Sequence, residues 1–235
     1  SSLNFEVNLL KNLVWKPAFT LDYMNWKNEK FIDPYRTSYG RQESGTGSLD
    51  NYLYQNYNIE NTLNYKLNQE AHDFGFIVGN SIQENKYKRH GYWGRNFPTD
   101  IRSFDYNLAR VDSRTQSRDE SITRYVSFFG QANYTYNDKY SLMAVLRASG
   151  ASSLAPGNKW GYFPGVSAAW VISNEEFLKG SKTVNYLKLR AGWGITGNVS
   201  GIPAYSYWSL RKEANIGSDV LNPVQTENSD LTWET

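Results

Sequence analysis

Residues 159–173 read KWGYFPGVSAAWVIS, and the spacing of their large side chains leaves little choice of backbone. Every second residue, Trp160, Tyr162, Pro164, Val166, Ala168, Trp170 and Ile172, is apolar, with a Trp near each end. The intervening set, Gly161, Phe163, Gly165, Ser167, Ala169 and Val171, is smaller and mixed. Side chains that alternate with a period of two leave opposite faces of an extended strand, whereas a helix needs a period of about 3.6.

Seven further segments alternate in the same way, at 3–9, 13–23, 57–67, 74–82, 126–136, 140–146 and 187–195. No segment of helical period competes with them, apart from a short turn expected at 174–179. The connections alternate too. Those at 11–12, 68–71 and 137–139 are short and rich in Asn and charge, as hairpin turns require. Long polar stretches at 25–51 and 86–120, expected as loops, fall after every second strand. The stretches at 150–158 and after Gly197 keep this phase, and 174–184 is the one longer connection on the short-turn side. Short turns at one end and long loops at the other form the layout of a transmembrane β-barrel.

Alternation alone does not say what the apolar face touches, because half of a soluble sandwich alternates too. Two features favour hydrocarbon. The other face carries Glu60, Asn64, Lys188 and Arg190 at mid-strand, which a watery bore tolerates; these are the expected lumen-facing residues. Trp160 and Trp170 are also ten residues apart. That is about 33 Å of strand, or roughly 25 Å once the strand tilts as in a barrel, the height of a bilayer's apolar band. Trp15, Trp160, Tyr162, Trp170 and Trp193 are therefore expected to form a lipid-facing aromatic girdle.

Composition agrees. The 18 Tyr, 11 Phe and 8 Trp are far in excess of the two Met, and no apolar run is long enough for a spanning helix. With 25 basic and 23 acidic residues among 235, charge gives no reason to expect nucleic acid. Cysteine is absent, and His72 and His90 stand alone, so no metal site, cofactor or disulfide is expected. The opening SSLNFEVNLL already reads as a strand rather than a leader.

The run SFFGQANYTYNDKYSLMAVLRASGASSLAPGNKWGYFPGVSAAWVISNEEFLK, followed by YLKLRAGWGITGN, resembles the late barrel region of SusC/RagA-type TonB-dependent outer-membrane transporters. The closing NSDLTWET resembles the onset of a later strand of that family. Where the family carries a charged stretch with Arg and Asp, this chain reads ASGASSLAP at 148–156. The resemblance implies an all-β, antiparallel transmembrane β-barrel segment of about 8–9 strands, part of a barrel of about 22. Residues 1–235 are then a partial barrel domain, with plug, signal and TonB box outside this sequence. It further implies active import of bulky nutrients, glycans or oligopeptides, across the outer membrane of a Gram-negative bacterium. The implied partners are a SusD-like surface lipoprotein, TonB–ExbB–ExbD, and outer-membrane lipid and lipopolysaccharide. A non-transporting barrel, an adhesin or structural surface protein, is the alternative.

Catalytic signatures are absent: there is no nucleophile elbow, Walker loop or HExxH, and no enzyme is expected. Gly192 and Gly194 are expected to keep the lumen side small. The expected ligand-contact loop is KYKRHGYWGR, where Tyr87, Tyr92 and Trp93 offer flat faces and Arg89 and Arg95 offer charge.

Overall fold

A computed structural model of the protein describes residues 1–98, 101–178, 183–213 and 221–235. Nine strands form one antiparallel sheet. They are β1 (Ser2–Asn4), β2 (Val7–Leu10), β3 (Leu13–Ile32), β4 (Thr46–Gln69), β5 (His72–Arg95), β6 (Thr115–Tyr136), β7 (Tyr140–Ala151), β8 (Trp160–Val171) and β9 (Lys188–Gly194). The order is β1-β3-β4-β5-β6-β7-β8-β9, with β2 also paired to β3. A separate pair joins β10 (Leu210–Glu213) to β11 (Leu221–Gln225). Among the described residues one short α-helix, α1 (Ser38–Glu43), is capped by Thr37, whose hydroxyl accepts from the Gly40 N–H at 2.9 Å.

All eight alternating segments lie on strands, but three expectations need correction. The first segment is two strands, with Phe5 and Glu6 between them and a register shift between Asn8 and Leu10 that sets Leu10 opposite Leu13. A register shift of this kind moves later side chains out of the alternating count, so Leu9 ends the pattern early. The stretches at 25–51 and 86–120 are strand for most of their length: β3 runs on to Ile32, β4 begins at Thr46, β5 continues to Arg95 and β6 begins at Thr115. Both faces of these extensions are rich in polar residues, which erases the signal used to find strands. The helical turn at 174–179 is a 3-10 turn at Ile172–Asn174, continued by a bond from Leu178 N to the Glu175 carbonyl. Lys179 lies outside the described residues.

The short turns are as anticipated. Between β6 and β7, Asn137 and Asp138 both take left-handed φ values of 50° and 55°. Asn and Asp tolerate that region better than other side chains with a Cβ.

Contacts divide the chain into two compact units, residues 1–20, 58–83 and 123–235 in one and residues 21–57 and 84–122 in the other. In the second, the connection after β5 folds back onto strand residues. Phe97, Phe104 and Ala109 are buried there against Phe31, Leu49, Tyr92, Ile101 and Tyr106. The close approach depends on Gly47, where a Cβ would stand 2.2 Å from the Phe104 ring.

In the first unit the register of β6 to β9 is continuous. Tyr136 faces Tyr140, Tyr140 faces Trp170, and Trp170 faces Leu189. The connection from β7 to β8 is among the most buried parts of the described chain, with Leu154 and Ala155 both at 0% exposure. Residues near the end of the sequence hold it. Ala155 N donates to the Leu231 carbonyl, Trp233 Nε1 donates to the Lys159 carbonyl, and Asn198 bridges Glu234. Within the expected strand onset at NSDLTWET, Glu234 forms a β-bridge with Asn198.

Candidate functional site

The cross-strand register sorts the side chains of β6–β9 onto two faces. On one, Tyr134 opposes Leu142, Ala132 opposes Ala144, Leu142 opposes Ala168, and Val166 opposes both Ala144 and Trp193. This face is apolar, yet no layer of described residues covers it: Trp160 is 47% exposed and Leu189 60%. Aromatic rows bound it at both ends. Toward the short turns, Tyr136, Tyr140 and Trp170 stack in sequence with ring centroids 6.5 and 6.3 Å apart. His72 joins this row, 2.9 Å from the Tyr134 hydroxyl. Toward the other end, Phe128 stacks on Trp160 at 6.3 Å. Between the rows the face is hollowed where Ala132, Ala144, Ala168 and Ala191 form a low floor.

Of the expected girdle residues, Trp160, Tyr162 and Trp170 share this face near the ends of β8, and Trp15 lies opposite Val7 on β3. Trp193 stands at a different height from the other four. It pairs with Val166, midway along β8, because β9 enters the ladder in a register that places its Trp at mid-strand.

The opposite face is polar and small. Gly165 opposes Gly194, Ser167 opposes Gly192 and Ala169 opposes Arg190. Lys188 and Arg190 alternate with the apolar residues of β9, as Glu60 and Asn64 do with those of β4, so all four stand on the alternate face of their strands. Asn64 donates to the Thr62 hydroxyl at 3.3 Å, and it lines an open hollow of about 640 Å³ with Glu6, Lys11, Lys16 and Lys66. A second recess of about 520 Å³ lies beside Arg147, Tyr125, Phe163 and Trp233. Sequence reading missed this one, since Trp233 reaches Phe163 across 70 residues; the two rings meet edge to face at 5.1 Å.

The KYKRHGYWGR run is not a loop. It is the end of β5, and strand alternation sends Tyr92 to the side opposite Tyr87, Arg89, Trp93 and Arg95. Tyr92 packs on Tyr106 in the small core of the second unit. The charges are spoken for within the unit. Arg89 contacts Asp50 at 2.9 Å and Asp119 at 3.4 Å, Arg95 contacts Glu43 at 2.7 Å, and Lys88 contacts Glu120 at 3.1 Å. Trp93 stays 37% exposed. Of the five, Arg89, Tyr92 and Trp93 line one small recess of about 250 Å³, and Tyr87 and Arg95 do not.

At the short-turn end, Glu175 accepts from the Tyr140 hydroxyl at 2.5 Å, Trp170 Nε1 at 3.0 Å and Lys139 Nζ at 3.0 Å. These donors, the Tyr140 hydroxyl foremost, lower its pKa to about 2. A charged carboxylate thus holds the two end aromatics in place. Among the described residues no group of His, Asp or Glu is arranged to hold a metal ion.

No protein-family model matches the chain. It is 32% identical over 234 residues to a TonB-dependent receptor, P26, of Formosa agariphila, an alignment covering 94% of this chain and 23% of the receptor. It is 30% identical over 245 residues to the TonB-dependent receptor SusC of Bacteroides thetaiotaomicron, covering 99% of this chain and 23% of SusC. The chain thus spans under a quarter of the length of these relatives. Among solved structures it superposes on the RagAB peptide importer in its open-open state with a TM-score of 0.84 at 23% identity, covering 97% of this chain and 25% of that one. A second RagAB structure gives 0.82 at 22% identity.

Proposed function

From the premise that this chain is, over nearly its whole length, a homologue of the SusC-type TonB-dependent receptors with the fold of a RagAB barrel segment, we propose that it is wall and partial lumen lining of an active importer in the bacterial outer membrane. The observation that carries this reading is the two-faced sheet: an uncovered apolar face closed at both ends by aromatic rows, backed by a polar face of small and charged residues. In water such a face would aggregate; in a bilayer it meets hydrocarbon, with the aromatic rings at the two interfaces. Residues 1–235 act as part of one barrel domain.

In this reading Glu60, Asn64, Lys188 and Arg190 look into the bore, toward solute or plug. Trp15, Trp160, Tyr162 and Trp170 meet lipid and, on the outer leaflet, lipopolysaccharide. Trp93 is the member of the KYKRHGYWGR run placed for solute contact, whereas Arg89 and Arg95 brace the strands. A SusD-like lipoprotein captures the nutrient, a glycan or an oligopeptide, and TonB–ExbB–ExbD drives its passage.

The test is uptake of labelled oligosaccharides and oligopeptides by cells carrying the complete protein and its lipoprotein partner. Accumulation that stops when TonB is deleted or the proton gradient is collapsed supports import. Accumulation indifferent to both would favour a passive or non-transporting barrel.

A further inference from the structure

On the polar face, Arg147 of β7 is fixed from below by neutral partners alone. Its Nε donates to the Ser149 hydroxyl at 3.1 Å and its terminal nitrogen donates to the Ser127 hydroxyl at 3.0 Å. Those hydroxyls are 2.9 Å apart and bond to each other, and both serines are buried, at 3% and 6% exposure. The Phe129 ring supports the guanidinium from 5.7 Å. Among the described residues, no carboxylate contacts Arg147, and none of those lining the adjoining recess of about 520 Å³ is acidic.

Several cations elsewhere are used differently, although Arg41 and Arg114 also bond neutral oxygens, in their case backbone carbonyls. Arg89, Arg95, Lys88 and Lys139 each touch an acid. A guanidinium oriented through two of its five N–H donors keeps the rest for a planar anion, and Arg meets carboxylates in a two-bond fork. Next to it, Tyr125, Phe163 and Trp233 supply faces on which a ring or a peptide plane can lie. Trp233 is itself held in place by its bond to the Lys159 carbonyl.

Resting on the importer reading above, we infer that the Arg147 recess is a solute subsite selective for a carboxylate. The anion is supplied by a uronic-acid unit or by an acidic peptide residue, with the attached ring or backbone against the aromatics. A paired serine base under a cation that no acid opposes among the described residues gives a fixed charge, so selectivity comes from the solute's charge.

The test uses the full-length protein, purified with its lipoprotein partner, and isothermal titration. Two probe pairs identify the source of the carboxylate: oligogalacturonate against its methyl ester, and a Glu-containing oligopeptide against its Gln counterpart. Arg147→Gln is expected to weaken the preferred charged probe by about 10- to 100-fold, the loss of a charge-assisted fork, and to leave its uncharged counterpart unchanged. Arg147→Lys should recover part of the difference, and 0.5 M salt should narrow it in the wild type. Equal weakening of charged and uncharged probes would overturn the inference. So would a fall in thermal stability of Arg147→Gln without any change in charge preference, which would place a carboxylate of the protein itself on Arg147. A wild type that does not distinguish the members of either pair would overturn it too. Titration requires no energy source, so loss of TonB-dependent uptake with charge selectivity intact would count against the importer reading alone.

Discussion

Three donors converge on Glu175, and their effect has a definite pH window. A carboxylate whose folded-state pKa is depressed contributes stability above its unfolded value, and that contribution is lost as pH falls through the folded value. Glu175 falls from an ordinary 4.5 to about 2. The difference in Trp170 fluorescence between wild type and Glu175→Gln should therefore hold steady from neutral pH down to about 4.5 and shrink between there and about 2. A difference that vanishes between pH 7 and 5 would show that the carboxylate is not held by these donors. Gly47 gives a second test. Leucine there would drive the Phe104 ring from its place, at a cost of about 1–3 kcal/mol. The segment 101–113 should then become cleavable by protease in the otherwise folded protein. The sequence offers Glu175 only as a turn charge beside Glu176 and gives Gly47 no role, because each acts through partners on a different element.

At the scale of the strand, alternation is a physical signal only while one face meets apolar surroundings and the other meets polar ones. Across β6, β7, β8 and β9 the apolar set read from the sequence is the set that the register brings onto one face. The ends of β3 and β5 and the starts of β4 and β6 carry polar residues on both sides, and strand was mistaken for loop there. Trp193 shows the other limit: composition reveals an aromatic, but height along a neighbour is a property of register. The two faces make opposite predictions for one charge. Ala144→Arg, opposite Val166, should destabilise the folded barrel in bilayers by about 2–4 kcal/mol, whereas Ser167→Arg on the alternate face should cost far less. Urea titration in lipid vesicles measures both, and equal costs would remove the case for a lipid-facing side.

For the whole molecule, the sheet order runs from β1 to β9 without returning on itself. The outer strands would leave unpaired backbone groups in hydrocarbon, each costing several kcal/mol. A polypeptide limited to residues 1–235 should therefore fail to insert into vesicles as a monomer, and heat-modifiable migration of such a piece would contradict this. The family was legible because WGYFP, the following AW and LKLRAGWGITGN occur together in fixed order; the recess beside Arg147 was not, because it is assembled from distant parts of the chain. That same assembly sets an order of events. The β7–β8 ladder is local and can zip early, but its connecting tip closes only on residues some 70 positions further along the chain. In the complete protein, Trp233→Ala should leave a well-paired hairpin with an unlatched crown, so the tip is the last part of this ribbon to mature and the first that a chaperone would find open.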